Sequence, residues 1–168
     1  MKHGARKGFT LVEILIVVII LGILAAIVIP QFTEASGEAR VSNLMTNLQT
    51  IRSQLLLYKT QHLETYPAAA AGEDGTDFAD QMTKYTDVDA GVSATPSTDY
   101  PYGPYLQSVP VNPVSGDNTV TVVQDGATAF TAPAADAGWW FNSVTGEFRA
   151  NVTDARTTTD GETKLSEL

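Results

Sequence analysis

The sequence predicts an α+β protein: a long N-terminal hydrophobic α-helix whose C-terminal half packs on a small antiparallel β-sheet. Three observations predict it. Residues 9–29 form a nearly unbroken apolar run. A stripe of apolar residues at helical spacing follows, with Gly37 as its one weak point. The last third of the chain alternates apolar and polar residues around tight-turn sequences.

The N-terminal element comes first. Residues 1–8 carry Lys2, Arg6 and Lys7 and end in Gly8; Phe9-Thr10-Leu11-Val12-Glu13 follows. Residues 14–29 are then apolar, interrupted only by the small Gly22, Ala25 and Ala26. At about 1.5 Å per residue, residues 9–29 reach roughly 30 Å, enough to cross a hydrocarbon core. A secretory signal peptide has a shorter apolar region before a small-residue cleavage site, and Thr33-Glu34-Ala35 is a poor version of such a site. A plain membrane anchor explains the apolar run and its basic flank but leaves Glu13 unexplained. A carboxylate at the mouth of a membrane segment is costly and calls for a partner. The best candidate is a new positive charge, the amine of Phe9 that a cut after Gly8 would create. Pro30 either stops the helix or kinks it, because proline removes a donor and clashes with the preceding turn.

The second half of the helix is read over residues 31–62. Val41, Leu44, Leu48, Ile51, Leu55 and Tyr58 recur at spacings of 3 and 4, one apolar stripe. Arg40, Asn47, Arg52 and Lys59 take the opposite face. Core packing against the protein's own sheet accounts for the stripe better than a coiled-coil partner does. Residues 9–62 together would make one near-continuous helix of about 80 Å.

The head is read over residues 63–151. Pro67 to Gly75 is loop-like. Residues 78–85 suit a short helix capped by Asp77. Gly103-Pro104-Tyr105-Leu106 and Val109-Pro110-Val111-Asn112-Pro113 suggest an extended path across the sheet, anchored by Tyr105 and Leu106. Residues 119–124 alternate, and Asp125-Gly126 signals a hairpin with a return strand over residues 127–131. A second hairpin joins residues 138–142 to 147–151 through Ser143-Val144-Thr145-Gly146. Trp139, Phe141 and Phe148 would face the core, leaving Trp140 exposed. Residues 152–168 read as a flexible acidic tail.

The stretch from Lys7 to Pro30 resembles the N-terminus of type IV pilins and type II secretion pseudopilins. The segment from Gly103 to Pro113 resembles the major pseudopilin of type II secretion, in which a Gly-Pro-Tyr-Leu segment precedes a Pro-x-(Asp or Asn)-Pro turn. The resemblance implies a pilin-like fold with a leader at residues 1–8, a filament-core helix at 9–30, and a head outside. It implies cleavage between Gly8 and Phe9 by a prepilin peptidase, N-methylation of Phe9, and a salt bridge between Glu13 and the Phe9 amine of an adjacent subunit. It places a helix kink between Gly22 and Pro30. The implied partners are copies of the chain and other pilin-like subunits, the peptidase, an inner-membrane assembly platform, and lipid before assembly. The implied location is the inner membrane, single-pass with the head in the periplasm, and then an envelope or extracellular filament. The pseudopilus is favoured over a type IV pilus by the 103–113 stretch, the small head and the lack of cysteine for a disulfide. A membrane-tethered module that never polymerises is the competitor from another class.

Composition bounds the chemistry. The chain has 168 residues and a net charge of −9, and losing residues 1–8 removes three cations and no acid. After Thr60, 16 acids face only Lys84, Arg149, Arg156 and Lys164. Such a head is a poor phosphate binder, so no nucleic acid is expected. The absence of cysteine excludes thiol chemistry and thiolate zinc sites. His3 lies in the leader and His62 at the helix end, and no nucleophile elbow, metalloprotease motif or phosphate loop occurs, so no enzymatic activity and no resident cofactor are expected. Major pseudopilins resembling this chain bind calcium in a C-terminal acidic loop. Here Asp117, Asn118, Asp125 and Asp136 are the weak candidates, without diagnostic spacing for an ion that takes about 6–8 oxygens.

Overall fold

The computed structural model describes residues 8–153, 156–158 and 161–168, with the side chains of Thr33 and Glu34 excepted. The leader residues 1–7 lie outside the described residues. The chain divides into two compact units, Met1–Gly37 and Glu38–Leu168. One helix, α1 (Leu11–Gln61), begins in the first and ends in the second. It continues through Pro30, so the reading of Pro30 as a helix stop does not hold. Proline removes one backbone donor there, and one lost donor does not end the run.

In the second unit, Leu44, Leu48, Ile51, Leu55 and Tyr58 are buried and Val41 packs against them. They meet α2 (Gly75–Thr83) and a three-stranded sheet of β3 (Val120–Val123), β4 (Trp139–Asn142) and β5 (Phe148–Ala150). A separate two-stranded piece pairs β1 (Tyr85–Thr86) with β2 (Val92–Ser93). Phe78 and Met82 of α2 and Trp139, Phe141 and Phe148 of the sheet complete the core. The aromatic rings interlock: Phe78 lies 5.0 Å from Phe141, and Trp139 lies 5.4 Å from Phe148. Such spacings are those at which aromatic pairs attract beyond simple burial.

The fold class is α+β as expected, with the sheet mixed rather than wholly antiparallel. β4 and β5 form the expected hairpin, with Trp140 opposite Arg149. β3 instead runs parallel to β4, Val120 opposite Trp139. Residues 127–131 form no return strand. The Asp125 carboxylate accepts bonds from Ala127 N and Thr128 Oγ1, closing a local turn. The Asn142 amide then donates to the carbonyls of Asp125 and Thr128. Those carbonyls are taken, and Pro133 has no N–H to offer a ladder. Residues 124–138 therefore serve as the long crossover that a parallel pair requires.

Three further expectations change. The α2 cap is Asp74, not Asp77: Asp74 accepts from Thr76 N and Asp77 N, while Asp77 accepts from Asp74 N, a reciprocal capping box. Trp140 is buried, because Phe130 of the crossover meets its ring edge-on at 5.3 Å. The tail docks: Val152 and Leu165 are buried, Thr157 bridges Lys164, and Leu165–Glu167 form a 3-10 turn. Arg52 accounts for part of this docking. Polarity puts it on the face of α1 opposite the apolar stripe, yet its guanidinium donates to the Phe148 carbonyl at 2.7 Å and to Leu168 O.

The 103–113 segment is anchored as expected, through polar contacts with the end of α2, the rim of β4 and α1, where the Tyr105 hydroxyl donates to Gln61 Oε1 at 2.6 Å. Tyr105 N and Leu106 N both donate to Met82 O, and both side chains are buried. Trp139 Nε1 donates to Pro110 O at 2.8 Å. Asn112 is fully buried, donates to Gly138 O and accepts from Val114 N.

Candidate processing and assembly site

The N-terminal unit holds Gly8, Phe9, Thr10, Glu13, Gly22 and Pro30. Its chemistry starts from the unsatisfied N–H groups at the head of α1. Thr10 stands before the first helical residue, and Glu13 lies three positions on. Thr10 N and Thr10 Oγ1 each donate to Glu13 Oε2 at 2.8 Å, and Glu13 N donates to Thr10 Oγ1 at 3.2 Å. This is a capping box. It gives Glu13 a role inside one chain that the reading from sequence missed. The signal was present, since Thr-x-x-Glu before an apolar run is the sequence form of the motif.

Phe9 is 84% exposed, and every large apolar side chain from Leu11 to Phe32 is exposed. A helix apolar on all sides is stable only in lipid or among other helices. The residues from Leu11 to Ile29 rise about 28 Å, which matches a bilayer core. α1 is the described helix long and apolar enough to cross a membrane. A Cβ added at Gly8 or at Gly22 would meet nothing within 4 Å. Among the described residues, therefore, no close neighbour requires glycine at either position.

The metal candidates are not brought together. Among the described residues no group of three or more His, Cys, Asp or Glu could hold a metal ion. Their oxygens serve local bonds instead. Asp117 accepts from Thr119 Oγ1 and N, which hold its carboxyl below the usual carboxylate range. The Ala127 N–H and Thr128 hydroxyl do the same for Asp125. Asp136 is lowered chiefly by the Thr153 N–H, with Arg156 adding a bond at 2.8 Å. Asn118 is exposed beside Asp117. His62 is buried and stacked on Tyr58 at 3.8 Å. Its Nδ1 lies 2.8 Å from Tyr58 O and its Nε2 lies 3.0 Å from Thr86 Oγ1. Both ring nitrogens are engaged in the core, which leaves neither for a substrate.

Comparison with known proteins supports the same end of the chain and extends past it. The prokaryotic N-terminal methylation motif matches residues 4–29. A type II secretion system core protein G of Pseudomonas aeruginosa is 39% identical over 72 residues, which cover 43% of this chain and 50% of that protein. One of Vibrio cholerae is 27% identical over 151 residues, covering 83% of this chain and 94% of its own length. A fimbrial protein of Pseudomonas aeruginosa is 43% identical over 49 residues, only 29% of this chain. The chain thus spans half of the first relative and nearly all of the second. No solved structure matches.

Proposed function

We propose that this chain, a prepilin-type protein of the family that includes type II secretion core protein G and the fimbrial proteins, is a structural subunit of a type II secretion pseudopilus. It polymerises through its N-terminal helix and so helps move proteins across the outer membrane. The observation that carries this reading is the 151-residue likeness to a core protein G, which takes in the head as well as the helix. The fimbrial likeness favours a type IV pilus subunit as the second reading, but it covers only 29% of the chain.

The steps follow from the residues. Lipid holds the apolar helix before assembly, with the head on the periplasmic side of the inner membrane. Gly8 leaves the backbone unobstructed for a prepilin peptidase, which cuts before Phe9 and methylates the new amine. In the filament, neighbouring copies and other pilin-like subunits replace lipid around residues 9–32, received through an inner-membrane platform. Glu13 then faces the Phe9 amine of an adjacent subunit, which fixes the register of each addition. Gly22 and Pro30 are where the helix loosens to fit.

Two measurements test this. Mass spectrometry of the mature protein should find Phe9 first, and Gly8→Val should retain the leader. Cells overexpressing the chain should show filaments by electron microscopy, and Glu13→Ala should be processed and membrane-bound yet unassembled. Normal filaments from Glu13→Ala, or an N-terminus beyond Ala25, would overturn the reading.

A further inference from the structure

The two faces of the three-stranded sheet are covered differently. Val120, Trp139 and Ala150 are register partners and belong to the core cluster. Thr121, Trp140 and Arg149 are the next partners along the same strands, so they form a row on the face turned away from that core. Trp140 is only 6% exposed, yet it is no member of the core cluster. Phe130 of the crossover lies on this row. It meets Trp140 edge-on at 5.3 Å, and the Arg149 guanidinium stands over its ring, 5.6 Å from the centre. At both distances an aromatic ring is attracted beyond simple burial. Arg149 Nε donates to Glu147 Oε1 and Nη1 to Ser166 O, which hold the guanidinium in place.

Phe130 belongs to a strap that little else holds. The crossover is tied at one end by Asn142 Nδ2, which donates to Thr128 O, and at the other by Ala137 N, which donates to Asn151 O at 2.7 Å. Between these ties, among the described residues, residues 129–135 make no hydrogen bond. None of them joins the core cluster or packs against it. Apart from Phe130 they are Ala, Thr and Pro, uncharged and exposed or half-buried. A segment with so few bonds opens locally while the sheet beneath it stays folded.

We propose that the row of Thr121, Trp140 and Arg149 is a binding site for an aromatic side chain, filled in the free protein by Phe130 as an internal occupant, and that the 129–135 strap lifts to yield the site to an extended segment of a partner protein. The strap sets the chemistry of that segment: one phenyl ring among small, uncharged residues. The ring takes the edge contact with Trp140 and the cation over its face, and no charge is buried beside it. Because Phe130 is tethered, it competes at high effective concentration and keeps the site closed until it is displaced. The inference goes beyond the assembly reading and does not depend on it, since row and strap lie wholly within the unit Glu38–Leu168.

The test uses the full-length protein in zwitterionic detergent and a labelled peptide copying residues 127–134, with a second peptide in which alanine replaces the phenylalanine. Trp139 is fully buried, so added quenching of tryptophan fluorescence by acrylamide reports Trp140. Phe130→Ala should raise that quenching while the head still melts cooperatively. The phenylalanine peptide should reverse the rise, and by fluorescence anisotropy it should bind Phe130→Ala about tenfold or more tightly than wild type. Adding Arg149→Gln to Phe130→Ala should weaken that binding, and the alanine peptide should not bind. Should Phe130→Ala lose cooperative melting, Phe130→Leu, which keeps apolar bulk but no ring, takes its place in each measurement. Unchanged quenching would show that the strap does not cover Trp140 and would overturn the proposal. So would equal binding of the two peptides, or equal binding of the phenylalanine peptide to wild type and variant.

Discussion

Asp136 joins the crossover to the returning tail with one carboxylate. It accepts from Thr153 N at 3.0 Å and Thr153 Oγ1 at 3.1 Å, and it pairs with Arg156. Its carboxyl is held below its ordinary value of 3.8, chiefly by the Thr153 N–H. A folded-state value below the unfolded one gives stability that is present above the ordinary value and lost as pH falls through the lowered one. Asp136→Asn should therefore lower stability at neutral pH by roughly 1 kcal/mol, with the share from half-exposed Arg156 screened by solvent. It should also flatten the loss of stability on acidification. Thermal melts of both proteins from pH 7 to pH 3 check this, and parallel curves would show that Asp136 contributes nothing through its charge. This bond set was not legible in the sequence, because Asp136 finds Thr153 only once β4 and β5 have paired. The same holds for Trp140. Alternation put it on the other face from Trp139, but could not foresee that the crossover brings Phe130 against it. The Thr10–Glu13 and Asp74–Asp77 boxes are local and were legible, since each acceptor lies three residues from its cap.

α1 shows what periodicity can and cannot settle at the scale of an element. The 3-and-4 spacing from Val41 to Tyr58 identified the buried stripe residue by residue, because burial of a helix face follows its period. The opposite face was less uniform than its polarity suggested: Arg52 binds the Phe148 carbonyl, and Asn47 Nδ2 lies 3.4 Å from Val111 O. Leu48→Asp puts a charge where Leu48 is 2% exposed, at a cost of several kcal/mol against a typical total of about 5–15. Asn43→Asp, on the exposed face, is the matched control. In circular dichroism melts of the detergent-solubilised chain, Leu48→Asp should lose head structure while Asn43→Asp melts like wild type. Equal melting would mean that the stripe does not carry the core. The sheet was legible only in part, for a reason that also lies at this scale. The β4–β5 hairpin is set by four adjacent residues, whereas the β3–β4 pair is parallel and closes across a long crossover. Nothing local in Val120–Val123 distinguishes the two kinds of partner.

At the scale of the whole chain, two solvents divide the sequence. The residues up to Gly37 form one compact unit whose apolar side chains are exposed, and the residues from Glu38 form another with its own core. This division, and the α+β class with it, was legible because composition changes sharply after Phe32. The docking of the tail was not, since residues 152–168 are mostly polar and, among the described ones, the core takes in Val152 and Leu165 with Leu168 packed against it. Removing residues 1–31 should therefore take away the part that needs lipid or neighbours and leave the buried stripe, α2, the sheet and the docked tail complete. The shortened protein should dissolve without detergent, run as a monomer in size-exclusion chromatography, and melt cooperatively. It should also give a near-ultraviolet dichroism signal from Trp139 and Trp140, both fixed in packed surroundings. Arg52→Ala in this background frees Leu168 O and the Phe148 carbonyl together, so protease sensitivity should appear first at the tail. A shortened protein that aggregates, or that keeps helix while losing the near-ultraviolet signal, would mean that the head cannot hold its own core. The apolar helix would then be part of the fold and not only of the assembly.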